Sequence, residues 1–306
     1  MAFLYSNTNK RYHTLDYYYK QKFNTKVFKI SLNAGFTCPN KDGKVGNRGC
    51  IYCDNGSGDT YDTSLLEQFD LVKKIMNNKW SGKYIGYFQA HTNTYAPLEE
   101  LKEKYELILN QEDVIGLSIA TRSDAIEDDV FDYLVELNKR TFLTIELGLQ
   151  TIHEKTSTLI NRCHSLDNFT NMVKRLRKHN INVVVHIING LPHETKEMMI
   201  ETAKYLNNLD IQGVKIHMLH ILKNTELENY YYKTKFHVLT KDEYIDIVIS
   251  ELEVLDPKIV IHRITGDPKV SDLIEPTWLI KKTQLLNDID KEMVKRDTYQ
   301  GKLFFN

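Results

Sequence analysis

Three cysteines, Cys38, Cys50 and Cys53, fall within sixteen residues of a 306-residue chain that has four in all. Eleven residues separate the first two and two separate the second pair. Without a secretory signal, such a cluster reads as metal binding or catalysis before disulfide formation. Gly35, Gly43, Gly46 and Gly49 give the segment the backbone freedom to wrap a compact inorganic body. Three thiolates can hold three irons of a cubane cluster, which leaves the fourth iron with the open position a catalytic centre needs. A structural zinc ion is the competing reading, and it requires a fourth ligand from Cys163, His164 or His91.

The elements that must position this loop follow from periodicity. Short β-branched runs at Val27–Leu32, Tyr84–Phe88, Val114–Ala120, Phe142–Leu149, Ile181–Ile188 and Val214–His220 predict strands. Amphipathic segments at Leu65–Asn77, Leu98–Leu109, Asp128–Lys139, Leu166–His179 and Thr195–Asn208 predict helices between them. Six strand–helix units in a row make an α/β chain with a parallel sheet. A doubly wound sheet and a partial (β/α)6 TIM-like barrel both fit. The barrel is preferred because Gln89, Thr121–Arg122, Gln150, Asn189–Gly190 and His217–His220 gather polar groups at strand C-terminal ends, where barrels of this kind do their chemistry. The cysteines directly follow the first strand and so lie at that mouth. Later, a helix near Asp242–Leu255, a strand at Ile259–Ile264 and a helix from Pro276 to about Lys295 read as an extension packed on the barrel. The expected division is a basic, tyrosine-rich N-terminal arm (1–26), a barrel (27–222) and a C-terminal extension (223–306).

Composition admits a sizeable core: 42% of residues are hydrophobic and 26% charged, for a formal net charge of −1. The longest apolar runs are too short to span a membrane, and the polar N-terminus lacks the apolar stretch of a secretory signal, so a cytoplasmic protein is expected. The near-zero net charge hides an asymmetry. Lys10, Arg11, Lys20, Lys22, Lys26, Lys29, Lys41, Lys44 and Arg48 are opposed only by Asp16 and Asp42. A segment of this kind can grip phosphates and stack bases, or it can be a solvated face whose tyrosines anchor the chain.

The residues themselves resemble a known family. Arg11-Tyr12-His13-Thr14-Leu15-Asp16-Tyr17-Tyr18, Val27-Phe28-Lys29-Ile30-Ser31-Leu32 and Ala34-Gly35-Phe36-Thr37-Cys38-Pro39-Asn40 are similar to the signature of radical S-adenosylmethionine (radical SAM) proteins of the elongator catalytic-subunit type. These also resemble oxygen-independent coproporphyrinogen oxidases, and the nearest likeness is to the bacterial YhcC/YtqA-like subgroup. The resemblance implies a [4Fe–4S] cluster on Cys38, Cys50 and Cys53. It further implies that S-adenosylmethionine binds the open iron and is reductively cleaved to a 5′-deoxyadenosyl radical. Tyr52 matches the aromatic position beside the adenine. Phe88-Gln89-Ala90-His91-Thr92-Asn93-Thr94-Tyr95 stands where a Gly-Gly-Glu-like turn meets the methionine amino group, which makes Gln89 a cofactor candidate.

Further motifs follow the strands. Thr121-Arg122-Ser123-Asp124 resembles Thr-Arg-Pro-Asp, Leu147-Gly148-Leu149-Gln150-Thr151 resembles Gly-Val-Gln-Ser, and Asn161-Arg162-Cys163-His164 resembles a segment with Arg-Gly-His. His186 opens a stretch that ends Gly190-Leu191-Pro192. Arg122, Gln150, Arg162 and His186 are therefore cofactor candidates. Gln150 suits ribose hydroxyls and the Arg162 fork suits the methionine carboxylate. Taken singly, each could equally be an interior glutamine, a surface arginine or a core histidine. Cys163 stands where the family has glycine and is expected to be a small buried residue. Glu146 is either a rim carboxylate or half of a buried pair. Lys215, His217, Thr225, Glu226, His262, Arg263 and Asp267 are candidates for substrate contact or for salt-bridged support.

Three functions follow from these features. The first is radical chemistry on an RNA base, in tRNA, with an electron donor such as flavodoxin or ferredoxin. The second is radical chemistry on a small-molecule metabolite. The third is a zinc-stabilised, non-catalytic RNA-binding module.

Overall fold

A computed structural model describes residues 4–5, 7–53, 63–77 and 81–304. Its first helix, α1 (Leu15–Phe23), begins where the Thr14 hydroxyl accepts from the Tyr17 N–H and ends at Asn24 in the left-handed region, φ 52°. Strand–helix units follow: β1 (Val27–Leu32), α2 (Leu65–Asn77), β2 (Lys83–Phe88), α3 (Leu98–Leu109), β3 (Val114–Thr121), α4 (Asp128–Arg140) and β4 (Phe142–Gln150). Next come α5 (Glu154–Leu159), α6 (Leu166–Lys178), β5 (Asn182–Asn189), α7 (Lys196–Leu206) and β6 (Gly213–Met218). The rest of the chain forms β7 (Ile221–Leu222), α8 (Glu226–Thr234), α9 (Lys241–Val254), β8 (Val260–Arg263), β9 (Leu273–Glu275), a 3₁₀ turn (Thr277–Ile280) and α10 (Lys282–Lys295).

The sheet order is β1-β2-β3-β4-β5-β6-β8, with every pair parallel. It curls into a half-barrel with all strand C-terminal ends on one rim. The six predicted strands and the helices between them are present to within two residues at each end. The strand expected inside the C-terminal extension is the seventh member of the sheet and pairs with β6. No helix among the described residues is long and apolar enough to cross a membrane.

The N-terminal stretch differs from an extended arm. Tyr5, Tyr12 and Tyr19 are buried. Tyr19 and Phe23 on α1 pack edge-on against Phe142, at the start of β4. Thr14 bridges Ile261 of β8. Helix α1 thus closes the N-terminal end of the barrel, leaving about 10 Å³ among residues that include Tyr18, Tyr19, Val184 and His262. The segment's cations are largely matched: Lys10 pairs with Asp290, Arg11 with Asp297, Lys20 with Asp16, Lys44 with Glu127 and Arg48 with Glu226. Of the two sequence readings of this segment, the tyrosines act as anchors.

Candidate active site

The cysteine loop is shaped by its own backbone. The Lys41 and Asp42 N–H groups donate to the Cys38 carbonyl at 2.8 and 3.2 Å, and Val45 and Gly46 donate to the Pro39 carbonyl. Buried Asn40 clamps the loop to the segment after α5: its Nδ2 donates to the Asn161 carbonyl at 2.7 Å, and Asn161 Nδ2 donates to the Gly49 carbonyl at 2.7 Å. Gly46 permits this approach, because a Cβ there would lie 2.2 Å from Asn40 Oδ1. Further along, Ile51 N–H donates to the Ile160 carbonyl, and Leu227 N–H at the head of α8 donates to the Ile51 carbonyl. These anchors are backbone or amide groups, and Asn40 Nδ2 also lies 3.8 Å from Cys50 Sγ.

No disulfide joins the four cysteines; Cys38 and Cys50 are half-buried and Cys53 is exposed. Burial pushes the Cys50 thiol up, while the Arg122 cation and hydrogen bonds from Tyr52 and Asn40 pull it back. The same Arg122 charge is felt by Cys38. Tyr52 lies in the field of both Cys50 and Cys53. Among the described residues, no group of three or more His, Cys, Asp or Glu side chains is spaced to hold a metal ion. Two of the three candidate fourth zinc ligands face other groups: His164 Nδ1 faces Ser123 Oγ and the Ser165 carbonyl, and Cys163 Sγ faces Asn161 Oδ1 at 3.2 Å.

Around the loop stand the strand-end residues. Arg122 Nε and Nη2 grip Asp124 at 2.9 and 2.8 Å, and its Nη1 donates to the Arg162 carbonyl at 2.9 Å. Arg162 is only 1% exposed, unlike the surface arginine considered above. Its Nη1 donates to the Leu149 and Thr151 carbonyls and its Nε to the His164 carbonyl. The fork expected for a carboxylate is therefore committed to backbone, and Nη2 alone is buried without a partner. Gln150 sits at φ 61° beyond a register shift in β4, and its amide folds back over Gly148, where a Cβ would lie 2.4 Å from Nε2. Gln89, half-buried at the end of β2, donates its N–H to the Leu32 carbonyl at 3.3 Å. Tyr52 packs against a second apolar cluster that contains Leu191, Leu219 and Leu227. Asn93, which sequence reasoning did not nominate, is buried with Oδ1 unpartnered while Nδ2 donates to the Ala120 carbonyl.

Below the rim, the inward residues of the strands converge on Glu146, whose side chain is fully buried. Its Oε1 accepts from Lys29 Nζ at 2.6 Å and Ser118 Oγ at 2.5 Å. Its Oε2 meets Lys215 Nζ at 2.5 Å and His186 Nε2 at 2.7 Å. Burial alone would raise the carboxyl, but Lys215 and Lys29 overrule it and hold Glu146 well below the usual carboxylate range. Burial and the Lys215 charge lower His186 to about 4. Burial also lowers Lys215 to about 7, against the pull of Glu146 and with the push of Lys29. His217 and His262 are held low by burial and by the cations around them. Of the two readings left open for Glu146, the structure gives the buried one, with four partners rather than one. His186 is a barrel-interior histidine turned toward Glu146. Arg263 pairs with Asp267 at 3.1 Å, and Asp267 also takes Lys282. Cys163 requires correction: it is exposed and left-handed, φ 63°, so the family's glycine at this position answers a backbone demand rather than a packing one.

A parallel half-barrel with a cysteine-bearing loop after its first strand has the architecture of α/β enzymes that work at the C-terminal rim of their strands. The chain belongs to the radical SAM superfamily, whose model matches residues 42–206, and the Radical_SAM C-terminal domain matches residues 211–295. The protein YtqA of Bacillus subtilis is 51% identical over 99% of this chain and 95% of its own length. The tRNA uridine(34) acetyltransferase of Methanocaldococcus infernus is 23% identical over 60% of this chain and 34% of its own. The structure of an N-terminally deleted Elp3 from the same archaeon superposes with a TM-score of 0.68 at 17% identity, covering 90% of this chain and 64% of that one. The protein is thus an enzyme whose cofactors are those of the superfamily, a [4Fe–4S] cluster and S-adenosylmethionine.

Proposed function

We propose that Cys38, Cys50 and Cys53 hold the cluster, and that Tyr52, Gln89, Arg122, Gln150 and Arg162 hold S-adenosylmethionine against it. The observation that carries this reading is that three cysteines share one loop after β1, tied by Asn40 and Asn161 and placed in the field of Arg122. Held there, a reduced [4Fe–4S] cluster and S-adenosylmethionine would supply radical chemistry toward a second substrate. The chain's own contribution is positional. Asn40 and Asn161 fix the loop, the Arg122 cation partly offsets the burial that raises the Cys50 thiol, and the Arg162 Nη2 and Asn93 Oδ1 atoms offer a donor and an acceptor that the fold leaves unmet. A one-electron donor of flavodoxin or ferredoxin type in a reducing cytoplasm suits cysteines that form no disulfide.

Two second substrates are considered. A tRNA base is supported by the partial likeness to a tRNA uridine(34) acetyltransferase. A small molecule is favoured by the fate of the N-terminal tyrosines, which are spent on anchoring. Anaerobic reconstitution is expected to give brown protein that contains iron and forms 5′-deoxyadenosine on reduction, with all three properties lost in Cys50→Ala. Colourless protein with one zinc would sink the radical reading. Filter binding of tRNA across salt separates the two substrates: weak binding with little salt dependence removes RNA.

A further inference from the structure

Donors outnumber acceptors inside the barrel. Both oxygens of Glu146 are taken, and two ammonium groups face that one carboxylate. Lys215 gives one N–H to Glu146 and one to the Tyr87 hydroxyl at 2.8 Å. Lys29 gives one to Glu146 and one to Ser118 Oγ at 3.0 Å. Among the described residues the third N–H of each has no oxygen or nitrogen acceptor, and both ammonium groups lie over the Tyr87 ring, at 5.1 Å for Lys29 and 4.2 Å for Lys215. His262 Nδ1, within the field of both lysines, is buried without a partner. A surplus positive charge with spare donors is costly to bury unless an anion completes it.

The approach to this space is one-sided. Helix α1 closes the far end. The side chains of Lys29 and His186 keep 13% and 19% exposure, so solvent reaches the cluster. Lys29, His186 and Lys215 each stand three residues short of the end of their strand. At about 3.3 Å per residue this is roughly 10 Å below the rim. A small molecule anchored there by one end would present its other end at the level of the cysteine loop.

We propose that the barrel interior is a subsite for an oxyanion group of a small-molecule second substrate, received by the spare N–H groups of Lys215 and Lys29 and by His262. The rim reading above is needed only to say where that molecule reacts, not for the binding itself. An RNA base carries no oxyanion to place there. An anion at this position also restores the charge of Lys215, so binding takes up a proton near neutral pH.

The test is calorimetry of the reconstituted full chain with inorganic phosphate, in two buffers of different ionisation heat. Binding with a Kd on the order of 1 mM and net proton uptake is expected. Lys215→Met should weaken binding at least tenfold and abolish the uptake, while the variant stays as stable as the wild type because a surplus buried charge is gone. A second measurement needs no variant. Phosphate should slow acetylation of Lys215 at least threefold, read by mass spectrometry, and leave Lys196 and Lys241 unchanged. Wild-type protein that binds no phosphate, a Lys215→Met chain that binds it equally well, or Lys215 acetylated at the same rate with and without it would each overturn the subsite. Iron content and 5′-deoxyadenosine formation judge the cofactor reading separately.

Discussion

The cysteine loop and the barrel interior lie about three residues apart along the strands, yet they distribute their bonds in opposite ways. In the loop, backbone and amide groups hold the chain, and the cysteine side chains carry little of that burden. In the interior, the sheet consumes the backbone groups, and the charged side chains bond one another. A cysteine can therefore be removed at the expense of a ligand, whereas the carboxylate at the centre of the interior cluster can be removed only at the expense of the fold. The shape of a half-barrel tolerates this because its strands are fixed by long parallel ladders, while its rim has no such ladder and must be tied by specific amides.

The contrast is most exposed at Glu146. Glu146→Gln leaves two buried ammonium groups without their carboxylate and should cost about 3–5 kcal/mol in urea unfolding. Adding Lys215→Met to that variant should recover part of the loss; no recovery would mean that the cluster does not act as one unit. On the loop side, Asn40→Ala strips the Asn161 carbonyl of its buried donor and should cost about 1–3 kcal/mol, together with a lower iron content after reconstitution. Unchanged iron would show that the clamp is not what presents the thiols.

Acid sharpens the same comparison. His186 is lowered from 6.5 to about 4, so between those values the unfolded chain takes up a proton that the folded chain refuses. Its contribution is present above pH 6.5 and is lost as pH falls toward 4, and Glu146, also held low, extends the loss below that. A His186→Gln chain should show a flatter fall of Tm across this window. Glu251 works against it: burial raises this carboxyl from 4.5 to about 8, so its contribution is lost as pH rises between those values. Subtracting the variant's profile from the wild type's isolates the histidine. The smallest effect belongs to the rim. Cys163→Gly relieves a left-handed residue and should raise stability by up to about 1 kcal/mol, with the cluster retained.

Much of this was legible beforehand, and for definable reasons. Uninterrupted β-branched runs such as Val183-Val184-Val185 can be little else than buried parallel strands, so the barrel followed from them. Helix α1 was missed because four of its nine residues are tyrosine or phenylalanine, spaced as an aromatic arm rather than as an apolar stripe. Of the interior cluster, Glu146, His186 and Lys215 were singled out, but Lys29 and Ser118 were not. A usable signal existed: Val-Phe-Lys-Ile-Ser-Leu, Thr-Ile-Glu-Leu and Val-Lys-Ile-His each set a charge mid-strand at matching depth. Asn40 and Asn161 carry no such mark, because a clamp between two loops is defined only once both strands are in place.

The contact that closes the barrel's far end joins Thr14 to Ile261. A chain that emerges from the ribosome in order makes helix α1 first and its seat on β8 almost last. For most of its synthesis the nascent barrel is therefore an open trough, with Tyr5 and Thr14 waiting for Pro257 and Ile261, which do not yet exist. Shortening the chain before β8 would leave the sheet's ladders β1 to β6 to form, but the bottom of the vessel would stay open to water, and the charges around Glu146 would be the first to feel it.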